Sequence, residues 1–87
     1  MSETLDARRK RLKYRSSYTG TKETDVMLGG FANRHLADLD EAQLDRYEHL
    51  LEIDDPRLYK WISGREPAPE EYDTDVLRMI QDFKPNA

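Results

Sequence analysis

Leu50-Leu51-Glu52-Ile53-Asp54-Asp55-Pro56-Arg57-Leu58-Tyr59-Lys60-Trp61-Ile62-Ser63-Gly64 contains the end of one helix and the whole of the next. Asp55 stands where a carboxylate caps the free N–H groups of a new helix. Pro56, at the first helical position, gives up a donor that has no use there. Leu58, Trp61 and Ile62 follow at i, i+3 and i+4 and so share one face. Gly64 accepts the positive φ that stops the helix. The stretch predicts a short amphipathic helix over Asp55–Ser63 with Trp61 turned into a core. The Asp54-Asp55 pair reads as a cap, although two adjacent carboxylates also suit acid–base work.

Upstream, Asp40 and Gln43 fit a capping box, and Leu39 and Leu44 fit the hydrophobic staple around it. Leu44, Tyr47, Leu50 and Leu51 then form the buried stripe of a third helix. A second helix begins near Thr21 or Lys22 and presents Met27, Leu28, Phe31 and Ala32. Gly29-Gly30 inside it costs about 1 kcal/mol per glycine relative to alanine, so the helix either bends there or meets another backbone closely. A first helix runs from about Asp6 to Tyr14, with Ser16-Ser17-Tyr18-Thr19-Gly20-Thr21 as a break. Beyond Gly64, Arg65-Glu66-Pro67-Ala68-Pro69 is a stiff connection. Pro69 is expected to open a fifth helix that buries Tyr72, Val76, Ile80 and either Leu77 or Met79, and frays near Phe83. The expected fold is all-α, a compact antiparallel bundle of five short helices. It forms one domain over residues 1–87, with a helical core at about 6–83 and short flexible ends.

Composition removes several classes of function. The 87 residues are 37% charged and 37% hydrophobic, contain no cysteine, and carry a net charge of −4. Disulfide frameworks, thiolate metal sites and thiol chemistry are excluded. No apolar run is long enough to span a bilayer, and the acidic, polar start lacks a signal core or a transit-peptide pattern. A cytoplasmic chain without membrane insertion is expected. His35 and His49 lie outside metal-binding spacings, and Ser16, Ser17 and Ser63 lack a nucleophile-elbow context. Gly29-Gly30 leads into Phe31 rather than a lysine and a hydroxyl, so it is no phosphate loop. An enzyme is not expected, nor a tightly bound metal or cofactor.

Charge is uneven along the chain. Arg8, Arg9, Lys10, Arg11, Lys13 and Arg15 form a basic block, which reads as a solvated helix face, a rim that steers an acidic protein partner, or a nucleic-acid contact. With a pI of about 5.1 and no accompanying aromatic RNA-binding motif, protein contact is favoured over nucleic acid. The remaining feature is the turn Tyr18-Thr19-Gly20-Thr21-Lys22-Glu23-Thr24-Asp25. Gly20 permits a conformation and a closeness of approach that other residues resist. Glu23 and Asp25 complement the dipole at the start of the second helix.

These residues together resemble the family of succinate dehydrogenase assembly factor 2, whose bacterial members are called FAD assembly factors. The resemblance covers roughly residues 8–82. It rests on Tyr14-Arg15-Ser16, Gly20-x-x-Glu23-x-Asp25, Met27-Leu28-Gly29-Gly30-Phe31-Ala32, and Leu50 to Pro56 with Leu58, Trp61, Gly64 and Pro67. It implies a five-helix helper that binds the flavoprotein subunit of succinate dehydrogenase, or that of fumarate reductase, and promotes covalent attachment of FAD on that client. Gly20, Glu23, Thr19, Tyr18, Arg15, Asp25 and Arg8 are then the expected partner-binding residues, and the chain is expected to act as a monomer. The family's turn reads Arg-Gly-x-x-Glu, and Thr19 stands here in the arginine position. An antitoxin-like regulator of a toxin or cell-division partner is the alternative reading.

Overall fold

The computed structural model describes residues 3–19, 22–53 and 56–83. The chain forms α1 (Leu5–Ser16), α2 (Lys22–His35), α3 (Glu41–Leu51), α4 (Pro56–Ile62) and α5 (Asp75–Asp82), with single 3-10 turns at Leu36–Asp38 and Glu70–Tyr72. The all-α expectation holds, with five helices and no strand among the described residues. The radius of gyration, 12.1 Å, matches the roughly 12 Å of a compact globule of this length. Gly20 and Asp55, on which two expectations rest, lie outside the described residues.

Local chemistry accounts for the helix ends. The Gln43 N–H donates to Asp40 Oδ1 at 2.8 Å and the Asp40 N–H donates to Gln43 Oε1 at 3.1 Å, closing the capping box. The staple residues Leu39 and Leu44 are both buried. After α4, Gly64 takes φ 77°. Its N–H donates to the Trp61 carbonyl and the Arg65 N–H to the Lys60 carbonyl, the paired bonds of a Schellman stop.

Two expected boundaries are corrected. Pro69 does not open the last helix. It leads into the 3-10 turn Glu70–Tyr72, and α5 starts after Thr74, whose hydroxyl accepts from the Leu77 N–H. Tyr72 is thus half-buried on the turn rather than buried on α5, and Leu77, not Met79, joins Val76 and Ile80 in the core. At the other end, α1 is capped by Thr4 and runs on through Ser16. The Ser16 hydroxyl donates to the Leu12 carbonyl at 2.6 Å and pairs with the Tyr47 hydroxyl. A serine that satisfies itself against the preceding turn need not break a helix.

The core is continuous, drawn from Leu12 of α1, Leu28 and Phe31 of α2, Leu44 and Tyr47 of α3, Leu58 and Trp61 of α4, and Val76 and Ile80 of α5. α2 is central: it touches α1, α4 and α5. A Cβ at Gly29 would stand 3.0 Å from Ser17 Oγ and 3.8 Å from Ser17 Cα, so this glycine marks the close approach of α1 and α2.

The Ser16–Tyr47 pair yields an asymmetric expectation. Burial pushes the Tyr47 phenol well above its ordinary pKa, opposed by the hydrogen bond to Ser16. Tyr47→Phe leaves Ser16 its Leu12 acceptor and should cost about 1 kcal/mol. Ser16→Ala strands a buried phenol and should cost about 2 kcal/mol. Urea titration of both variants checks the order, and a reversed order would show that the ring's packing, not its hydroxyl, reads the change.

Candidate functional site

The described residues on either side of Gly20 and Thr21 are held by hydrogen bonds. Tyr18 donates its N–H to the Arg15 carbonyl at 3.1 Å, extending the end of α1. Asp25, in the first turns of α2, accepts from the Thr19 N–H at 2.5 Å and from the Thr19 hydroxyl at 2.6 Å, both on Oδ1. Asp25 therefore ties the start of α2 to the residue before Gly20. Glu23 is exposed on the same first turn.

Of the large apolar side chains exposed among the described residues, Tyr14, Tyr18 and Val26 flank this turn, while Leu5 lies at the far end of α1. Tyr14 and Tyr18, four apart and 69% and 64% exposed, lie with ring centroids 4.7 Å apart and planes tilted by 31°. Val26, beside Asp25 on α2, is 50% exposed. Large apolar side chains left in water at one end of a small bundle favour a contact surface over a solvated one. Tyr18 was among the expected site residues; Tyr14 and Val26 were not. The i, i+4 spacing of the two tyrosines was the available signal.

The basic block divides. Arg8 is only 16% exposed at its side chain and reaches α3: Nη2 donates to Asp45 at 2.6 Å, and Nε and Nη2 donate to Glu48 at 3.1 and 2.9 Å. Arg11 binds Glu3 through Nε and Nη2 at 2.9 and 2.8 Å and reaches Glu48 with Nη1 at 3.0 Å. Arg15 donates to the Leu51 carbonyl at 2.9 Å, and Arg9 to the Leu39 carbonyl at 2.8 Å. Arg15 sits at the C-terminal turn of α3, where a cation complements free carbonyls and the helix dipole. The arginines thus fasten α1 to α3, and Arg8 is structurally engaged rather than free at the turn.

Hydrogen bonds from Arg11, seconded by Arg8, hold the Glu48 carboxyl below its usual pKa despite partial burial. A depressed folded-state pKa contributes stability above the unfolded value, near 4.5, that is lost as pH falls through the folded value. Glu48→Gln should therefore cost about 1 kcal/mol at pH 7 and less at pH 3. Chemical denaturation at both values measures this; an equal cost at both would show that packing, not charge, is at stake.

Both histidines have aromatic neighbours. His49 stacks on Tyr72 with centroids 4.5 Å apart, and His35 lies among Phe31 and Phe83. No cluster of metal-ligating side chains occurs among the described residues. No helix of the described residues is long and apolar enough to cross a membrane.

Residues 10–84 match the family model described as flavinator of succinate dehydrogenase. The chain belongs to this family. Among relatives of the flavinator family, the FAD assembly factor SdhE of Acetobacter pasteurianus is 43% identical over 83 residues, which cover 94% of this chain and 76% of the relative. The mitochondrial succinate dehydrogenase assembly factor 2 of Dictyostelium discoideum is 39% identical over 77 residues, covering 88% of this chain and 55% of the relative. That of Candida glabrata is 37% identical over 90 residues, covering 99% and 59%. The chain thus spans little more than half the length of these two eukaryotic relatives. Most of the flavinator match lies in described structure, including all of α2 to α5.

Proposed function

We propose that the chain is an assembly factor that binds the flavoprotein subunit of succinate dehydrogenase and promotes covalent attachment of FAD to it. The observation that carries the reading is the tie from Asp25 to Thr19 beside the exposed Tyr14–Tyr18 pair, within the region matched to the flavinator family. In this reading the Gly20 turn, with Glu23, lies against the client near its flavin, and Tyr14, Tyr18 and Val26 supply the buried part of the contact. The chain makes no bond itself. It holds the client so that the flavin ring and the accepting histidine stay in register, and fixed proximity is a recognised source of rate. FAD stays on the client, and the helper works as a cytoplasmic monomer with no cofactor of its own. The flavoprotein of fumarate reductase, which presents the same chemistry, is a second client.

In cells that lack this protein, in-gel flavin fluorescence of the succinate dehydrogenase flavoprotein should fall severalfold and return when the wild-type chain is supplied. Equal fluorescence with and without the chain would overturn the reading.

A further inference from the structure

The arginines of α1 are spent inside the fold, yet two of its cations are not. Lys10 and Lys13 are exposed and make no ion pair or hydrogen bond among the described residues. Both line a cleft of about 140 Å³ between α1 and the α2–3-10 junction, on a floor of Ala32 and Leu36. Arg9 forms one wall, fixed there by its bond to the Leu39 carbonyl, and its Nε–H is buried with no acceptor. Ala37, exposed, stands at the mouth. Arg8, Arg11 and Arg15 meet their partners on α3 instead. Lys10 and Lys13, the two cations of α1 without a partner among the described residues, therefore both line this cleft, in a chain whose net charge is −4.

Resting on the function proposed above, we infer that this cleft is a second docking point for the flavoprotein, distinct from the Gly20 turn, and that it takes an acidic segment carrying one apolar side chain. The apolar residue fills the space over Ala32 and Leu36, and the neighbouring carboxylates meet Lys10 and Lys13. A free anion suits the place poorly. Its floor is apolar, and the backbone N–H groups of mid-helix residues are committed to their own helices, so no amide cradle is offered. Lysines at a rim act chiefly by steering encounter, which makes association fast and salt-sensitive. Two contacts on one rigid bundle also fix the orientation of a client that a single turn would leave free to pivot.

The test measures binding of the purified, unflavinylated flavoprotein subunit to the full chain by stopped-flow and at equilibrium, from low to physiological salt. Lys10→Glu/Lys13→Glu should weaken binding about tenfold, mostly through slower association, and flatten the salt dependence. Ala37→Trp keeps every charge, blocks the mouth, and should weaken binding severalfold through faster dissociation. All three positions are exposed, so helical circular dichroism and melting should stay as in wild type. Lys60→Glu/Arg65→Glu makes the same change in net charge at the end of α4 and should leave affinity nearly unchanged. Wild-type affinity in both cleft variants overturns the docking point and leaves the functional reading standing, and so does an equal loss in the α4 variant. Failure of the wild-type chain to bind the flavoprotein removes the functional reading and the cleft's partner with it.

Discussion

Trp61→Ala should cost about 3–5 kcal/mol of folding stability and lower the melting temperature by roughly 12–40 °C. A domain of this size has only about 4–13 kcal/mol to lose, so the variant should sit at the edge of unfolding at physiological temperature. The size of the effect follows from position. Trp61 is 2% exposed and stacks on Tyr72 at 5.1 Å, which stacks in turn on His49 of α3 at 4.5 Å. Its carbonyl accepts from Gln81 of α5 at 2.9 Å. One indole thus joins α4 to the 3-10 turn and through it to α3, while its backbone holds α5. Alanine leaves a cavity that a helix of seven residues, stopped by Gly64, has little freedom to close. Trp61→Phe keeps the stack and most of the volume and should retain most of the stability. A folded Trp61→Ala chain with normal melting but weak client binding would make the indole a surface anchor, contrary to its burial.

The same residues show what the sequence was able to say. Capping at Asp40, the stop at Gly64 and the faces carrying Leu44, Tyr47, Leu58 and Trp61 were legible because each depends on neighbours within a turn or two. Pro69 misled because a proline at a first helical position and a proline before a 3-10 turn look alike locally. The hydroxyl of Thr74, with Asp75 behind it, was the competing start signal and the one the chain uses. Ser16 was read as a turn residue because its partner Tyr47 lies 31 positions away. Distance also hid the role of the basic block. Arg8 and Arg11 meet acids 37 to 40 residues downstream, and no local pattern reveals that α1 lies across α3. The site divides in the same way. Gly20, Glu23 and Asp25 were legible as a turn and helix start, and the resemblance assigned them to a partner. The tie from Asp25 back to Thr19, and the exposure of Tyr14 and Val26, required the folded chain.

That tie sets up opposite expected results at two adjacent positions. Gly20→Arg should abolish rescue of covalent flavin on the client, because a side chain there blocks close approach of the partner's backbone, while melting stays near wild type. Thr19→Arg should instead strengthen binding to a flavoprotein whose own helper carries the family's arginine. The Thr19 N–H, which survives the change, still donates to Asp25 Oδ1, so the turn keeps its brace and the new guanidinium projects from a fixed base. What is lost is the hydroxyl bond to the same oxygen, worth about 1 kcal/mol or less where water competes. What is gained is a rigid fork of donors toward carbonyls or a carboxylate of the client. Charge-assisted hydrogen bonds contribute about 1.5–3 kcal/mol when desolvated, so affinity should rise roughly tenfold or more. Asp25 is the main competitor for that guanidinium, and Thr19→Arg/Asp25→Asn separates the two effects. If Asp25 only braces the turn, the double variant should bind more weakly than Thr19→Arg alone. If Asp25 instead captures the arginine, the double variant should bind more tightly. Titration of each variant against the flavoprotein decides the matter. An arginine at position 19 that weakens binding, together with an unimpaired Gly20→Arg, would show that the client docks elsewhere on the bundle.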